Sequence, residues 1–336
     1  MLKKSMLLGT VSAFALFPQF IEPAVAQDGI ILDPIVVTST REGKPKSELT
    51  EIIGVLSEED ITFISPVHPA DAANRVAGVY VNNLGGEGHM TSIRQPITTG
   101  AVYLFLEDGI PTRPVGIFNH NALYEVNIPQ AGSLEITKGP SSSLYGSDAI
   151  GGVINSITAA PPKDFEFSFN PEFGSFGYKR LLTSVGSPLG LNAGFVTDLN
   201  ITDNKGWRDN SEYNRIATTT RFDAKINKEL KFKSIFAYTQ VEQTGISSLG
   251  LDDYINNPRK NFFEGNIGRR NVDALRFSTE VSYQPNEDEL LTVTPFFRHN
   301  VMELLPSFRI TFDPSDFRSE FQSYGTNIKY RKKLPK

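Results

Sequence analysis

From Tyr213 to Asn227 the chain alternates almost without fault. Ile216, Thr218, Thr220, Phe222, Ala224 and Ile226 form one row; Arg215, Ala217, Thr219, Arg221, Asp223 and Lys225 form the other. A repeat of two marks a strand with two unlike faces. The pattern returns where Leu275, Phe277, Thr279, Val281 and Tyr283 interleave with Arg276, Ser278, Glu280 and Ser282. Read this way, the chain after residue 164 holds eight strands, near 165–173, 177–186, 190–202, 213–227, 229–241, 271–284, 289–303 and 319–332. Tight turns at Ser187-Pro188, Asn227-Lys228 and Pro285–Asp288 alternate with long polar loops at 203–212, 242–270 and 304–318. Any antiparallel sheet with one wet face alternates. Long strands, short turns opposite long loops, and a polar row fit a membrane barrel better than a secreted sandwich, whose strands run nearer about six residues.

The N-terminus agrees with export. Lys3 and Lys4 precede an apolar run from Leu7 to Phe17, and Ala24-Val25-Ala26 forms a small-x-small site before Gln27. That is the layout of a secretory signal, and the run is too short for a spanning helix of about twenty residues. The chain has no cysteine, which removes disulfides, thiolate metal sites and a lipidated N-terminal cysteine together. A net charge of -5 and no basic stripe argue against a nucleic-acid partner.

Between these ends lies a different composition. Ile35-Val36-Val37-Thr38 is a β-branched run bounded by Asp33-Pro34 and by Gly43 and Pro45, with no hairpin partner evident nearby. The residues alone leave two readings equal: a segment awaiting an edge, or the first strand of the next domain. Residues 48–160 read as a compact α+β domain. Ser57 and Asp60 begin a short helix, a second runs from Ala70 to Ala77 and stops at Gly78, and strands follow at 78–82, 91–94 and 101–106. Asp108-Gly109 is a hairpin turn signal, and 134–138 and 152–158 supply two more strands.

The stretch "SLYGSDAIGGVINSIT" (143–158) sets Gly146, Gly151 and Gly152 against a clean strand. Glycine there marks either a tight turn or backbone pressed against a neighbour. Extended to "LEITKGPSSSLYGSDAIGGVINSIT" (134–158), it resembles the signature of the plug domain of TonB-dependent outer-membrane receptors. Further matches come in family order. "PIVVTSTR" (34–41) resembles the TonB box, "AANRVAGVYVNN" (72–83) the first plug helix and strand, "SIRQP" (92–96) the Ile-Arg-Gly element, and "LFLEDGIPT" (104–112) the strand and turn before the apical loops.

The resemblance implies an α+β plug inside a transmembrane antiparallel β-barrel, divided as signal peptide 1–26, TonB box and linker 27–47, plug 48–160 and barrel from 164. It implies that Ile35, Val36, Val37 and Thr38 meet TonB, which is energised by an inner-membrane complex. Arg94 and Lys138, with Glu135 as organiser, are the expected plug–barrel ion pairs. Two departures weaken that expectation: Gln95 stands where the family has glycine, and Lys138 replaces an arginine whose planar contact a lysine cannot make. The three glycines are expected to allow close approach to the barrel wall. His89, Tyr103, Arg113, Phe118, His120 and Tyr124 are expected near the ligand. Plugged barrels have about 22 strands, so eight predict the N-terminal part of a receptor of about 640 residues. An end at "YRKKLPK" (330–336), without a terminal aromatic, fits that expectation.

The implied activity is energy-coupled uptake across the outer membrane of a Gram-negative bacterium. A ferric siderophore leads; cobalamin, haem, other metal chelates and oligosaccharides use the same architecture. A passive structural or adhesive barrel needs neither plug nor box. No HExxH, GxSxG or P-loop is present, and His68, His89, His120 and His299 lack metal-ligand spacing, so no enzyme, cofactor or metal site is expected.

Overall fold

The computed structural model describes residues 33–116, 121–261, 268–305 and 317–334. The expected signal at 1–26, and Phe118 and His120, lie outside the described residues. The chain begins with a small ladder, β1 (Ile35–Val36) against β2 (Lys44–Pro45). An inner α+β domain follows, built from β3 (Ile53–Ser57), α1 (Glu58–Ile64), α2 (Pro69–Ala73), β4 (Val79–Val81), β5 (Thr91–Ile93), β6 (Tyr103–Glu107), β7 (Ile110–Pro111), β8 (Ala131–Lys138), α3 (Ser142–Tyr145) and β9 (Gly152–Thr158).

Its main sheet runs β3-β8-β9-β6-β7, antiparallel except where β6 lies parallel to β9. Local chemistry sets its joints. The Ser57 side chain accepts from the Asp60 N–H while the Asp60 carboxylate accepts from Ser57, so both ends of the capping box at α1 are made. Asp108 and Gly109 both have positive φ, 49° and 80°, as a two-residue turn of the I′ kind requires between β6 and β7. Tyr103, Phe105, Leu134, Ile136 and Ile154 are buried at the centre. Each such side chain contributes about 1.5–3 kcal/mol, so this domain has a core of its own.

The sequence anticipates most of these elements, with three differences. β3 was not expected; its "IGVLS" is too short and too mixed to announce a strand until β8 supplies a partner. The helix expected over 70–77 ends after Ala73, and turns carry the chain to Gly78 at φ 78°. The segment thought to lack a hairpin partner has one: Ile35 pairs with Pro45 and Val36 with Lys44. It joins no strand of the inner domain's main sheet.

Eight antiparallel strands form the second layer: β10 (Glu166–Phe173), β11 (Lys179–Pro188), β12 (Ala193–Asn204), β13 (Tyr213–Lys225), β14 (Leu230–Gln243), β15 (Arg269–Tyr283), β16 (Glu289–Leu305) and β17 (Phe317–Lys332). A short helix, α4 (Leu251–Asn256), sits in the β14–β15 loop. Each strand pairs with its chain neighbours. The alternation resolves as two faces. Arg215 and Arg276 are 3% and 5% exposed and face the inner domain, while Phe222 and Phe277 are 37% and 47% exposed on the other side. Tight turns end the strands on one side and the longer loops on the other. Among the described residues no helix is long and apolar enough to cross a membrane, which says nothing of strands.

Candidate functional site

The inner domain is fastened to the sheet by buried charge. Arg276 on β15 reaches Glu107 at 2.8 Å and Glu125 at 3.5 Å, and donates to the Glu125 main-chain carbonyl at 2.6 Å. Glu125 also holds Arg113, whose guanidinium donates to the Tyr124 hydroxyl at 2.9 Å and to Asn121 at 3.1 Å. Burial works against the Arg113 charge, but Glu125 and Tyr124 more than offset it and hold the group above its ordinary value. Nearby, Arg215 pairs with Glu87 at 3.1 Å and donates to the Val126 carbonyl, and Arg298 donates to the carbonyls of Pro111 and Arg113. In these cross-layer ion pairs the sheet supplies the cation and the inner domain the carboxylate.

The N-terminal segment is held differently. Val36 is fully buried, and the Glu135 carboxylate accepts from the Val37 N–H at 3.1 Å, the Thr38 N–H at 2.8 Å and the Thr38 hydroxyl. Tyr145 donates to the Thr38 carbonyl at 2.7 Å, and Asn155 to the Thr38 hydroxyl at 3.0 Å. Burial pushes the Tyr145 phenol up to about 12, which keeps it a donor. The turn beyond is tied to the sheet, where Lys329 and Arg331 of β17 each reach Glu42 at 3.1 Å.

At the long-loop end lies a cavity of about 710 Å³. Phe176, Tyr178, Trp207 and Tyr213 line its sheet side with Arg208, and the inner domain contributes Leu84 and its neighbours. The floor is set by contact between layers. Gly85 has φ 87°, and a Cβ there would stand 1.6 Å from the Ile246 side chain; the Glu87 N–H donates to Gln243 at 2.9 Å. Below it, two imidazoles meet edge to face at 6.0 Å. His68 accepts from the Ala70 N–H and faces the Gly88 carbonyl; His89 accepts from the Leu123 N–H and faces the Glu87 carbonyl. Each ring uses one nitrogen as acceptor, so each must be neutral.

Residues 45–153 match the family described as TonB-dependent Receptor Plug Domain. The chain carries a TonB-dependent receptor plug domain. Its whole architecture is similar to solved receptors. The ferric citrate transporter FecA in its unliganded form aligns at a TM-score of 0.73 and 18% identity, over 85% of this chain and 45% of that one. The outer-membrane ferripyoverdine receptor of Pseudomonas aeruginosa bound to ferripyoverdine gives 0.64 and 16%, over 88% and 41%. The ferric-catecholate import receptor Fiu of Escherichia coli, in its open form, gives 0.62 and 16%, over 88% and 48%. The chain thus spans less than half the length of these structures, and its eight-stranded sheet corresponds to part of their barrel wall.

Several expected site residues stand elsewhere in the plug than the sequence implies. Lys138 donates to the Ala77 carbonyl at 2.7 Å, and burial together with neighbouring Arg94 and Lys46 lowers its pKa. Arg94, exposed and at φ 56°, packs beside Gly78. Neither is ion-paired to the wall among the described residues; that task falls to Glu87, Glu107 and Glu125. Glu135 organises, but it organises the N-terminal segment. Gly151 and Gly152 do permit close approach, against Tyr103, Gln95, Ile93 and the Thr137 carbonyl of the plug itself rather than the barrel. Gly146 meets nothing within 4 Å and serves its φ of 77°. Tyr103 is a core residue whose hydroxyl accepts from Ile93 N–H and Gln95. His89, Arg113 and Tyr124 are buried with internal partners, and none of them lines the cavity. Sequence reasoning misses the cavity aromatics because Phe176, Tyr178 and Trp207 sit in connections with no motif and Tyr213 reads only as the start of a strand; the chain's single tryptophan, beside Arg208 in "KGWRDN", is the available signal.

Proposed function

We propose that this chain is the plug and first wall strands of an outer-membrane receptor that imports a ferric siderophore with energy delivered through TonB. The observation that carries the reading is the seating of a TonB-dependent receptor plug domain on the cation-bearing face of a barrel-type antiparallel sheet. A plug so fastened closes a pore, and a closed pore needs energy to pass a bulky solute. The ferric citrate, ferripyoverdine and ferric-catecholate receptors share this arrangement, which supports an iron chelate as cargo. So does a cavity at the long-loop end large enough for a bulky chelate and walled by Phe176, Tyr178, Trp207 and Tyr213. No bond in the cargo needs to break.

In this reading residues 1–26 direct export, 27–47 hold the TonB box and linker with Ile35–Thr38 as the contact, 48–160 form the plug and 164 onward the wall. The test is uptake of radioactive iron by iron-starved cells carrying the complete receptor, offered a panel of ferric siderophores. At least one should be taken up, and removal of either the receptor or TonB should abolish it. Uptake that persists without TonB overturns the reading.

A further inference from the structure

The segment Ile35–Thr38 has main-chain donors that a binding partner would want, and they are in use. β1 already pairs with β2 on one side. Beyond β1, one carboxylate takes the N–H groups of Val37 and Thr38 together with the Thr38 hydroxyl. A partner that binds by adding a strand needs such N–H groups free. We propose that Glu135 is a built-in competitor for that partner, a positioning residue whose side chain stands in for a strand and keeps residues 35–38 closed. This rests on the reading of those residues as the TonB contact.

The chemistry of the hold suits release. Glu135 is 1% exposed, and its donors are neutral: two amides and a hydroxyl. Neutral donors can be exchanged for water or for another strand, with each side regaining its hydrogen bonds. A buried carboxylate held by an arginine has no such exit, because departure strands a charge. Tyr145 and Asn155 add donors to Thr38 from two further plug elements, so the closed state is read by several side chains but anchored on one carboxylate.

These 336 residues hold no cysteine, so in a receptor whose remaining segment has every cysteine replaced by serine, a single introduced thiol reports alone. In the complete receptor, Val36→Cys places a thiol at a fully buried position, and Leu134→Cys places one in the plug core beside Glu135. Without ligand or TonB, a charged maleimide should label Val36→Cys slowly. Glu135→Gln should raise that rate about tenfold and Glu135→Ala about ten- to a hundredfold, the range for losing bonds to a charged acceptor. Leu134→Cys should stay protected throughout. The isolated periplasmic domain of TonB should bind the Glu135→Gln receptor about tenfold tighter than the parent in the absence of ligand. Unchanged labelling at Val36→Cys overturns the proposal, and so does deprotection of Leu134→Cys, which would make Glu135 a folding residue. Opening with no gain in TonB binding overturns the competition. TonB binding to no variant at all, with labelling as expected, overturns instead the assignment of residues 35–38 as its contact.

Discussion

Two carboxylates of the plug, Glu125 and Glu135, are equally buried and do opposite work. Glu125 is surrounded by arginines, one from its own domain and one from the wall. Glu135 is satisfied by two amides and a hydroxyl of the N-terminal segment, donors that carry no charge. Removing a partner from the first leaves uncompensated charge in a low dielectric, whereas removing the second's leaves a carboxylate that water can solvate once the segment has moved. One arrangement fastens a domain and the other latches a tail. Burial alone does not separate them; the charge of the donors does.

The largest break is Arg276→Met. It strips Glu107 of its cation while Glu125 keeps Arg113, so one buried carboxylate is orphaned at a cost of about 3–5 kcal/mol. In the complete receptor the denaturant midpoint for plug protection against protease should fall, with labelling at Val36→Cys little changed before plug release. Adding Glu107→Leu should restore most of the loss, since an apolar pair of similar volume replaces a buried ion pair with little penalty.

Acid is the next, and it should loosen the fastened side. Burial holds the pKa of His68 down, with Glu87 opposing it, and burial holds that of His89 well down, helped by the neighbouring His68, Arg270 and Arg113. Asp71 also faces His68 and favours its charge. Both rings stay neutral in the fold and gain a proton on unfolding below about pH 6.5. Nothing is lost above that pH. Below it the unfolded state binds more protons, and stability falls by up to about 1.4 kcal/mol per pH unit for each histidine. Plug protection measured from pH 7.5 to 5.5 should decline, and His68→Asn with His89→Gln should flatten the slope. A slope that survives both substitutions contradicts the assignment.

On the latched side, Thr38→Val keeps shape and removes the hydroxyl that joins Glu135 to Asn155. The expected effect is about 1.5 kcal/mol of local opening, the low end for a bond to a charged group because both amide bonds remain. Labelling at Val36→Cys should rise about tenfold while the plug's denaturant midpoint holds. Val37→Pro separates opening from coupling: it removes one bond to Glu135 and also a donor that strand addition needs. It should open the segment yet fail to support uptake.

How far the residues foretold this depends on the range of the interaction. The wall was legible because alternation is local, and Arg215 and Phe222 announce their faces within one strand. The turn at Asp108-Gly109 and the cap at Ser57 were legible for the same reason. Glu107, Glu125 and Arg276 were not, because a carboxylate and an arginine more than a hundred residues apart carry no shared pattern. The resemblance pointed to Arg94 and Lys138 by motif position, but the positive φ of Arg94 and the nearby Ala77 carbonyl direct both elsewhere. The β1–β2 ladder was invisible for another reason: two residues a side is below any periodicity, and only tertiary partners such as Glu135 hold it.

The smallest expected effect belongs to the third hold, where Glu42 meets Lys329 and Arg331. All three side chains are about one-fifth to one-quarter exposed, so this pair of ion pairs is neither a buried fastening nor a fully solvated contact. Charges that reach water gain little from pairing, about 0.2–1 kcal/mol for a typical pair. Lys329 also donates to the Arg41 carbonyl at 2.6 Å, a bond that does not depend on Glu42. Glu42→Gln should therefore raise labelling at Val36→Cys only about two- to fivefold. The parent's labelling should climb with salt toward that of the variant, because mobile ions screen the pairs at β17 over about 10 Å at 0.1 M. The Glu135 contact, buried and made to neutral donors, should be almost indifferent to salt. If Glu42→Gln opens the segment as far as Glu135→Ala does, the wall rather than the plug holds the tail, and the contrast between fastening and latch fails at its latched end.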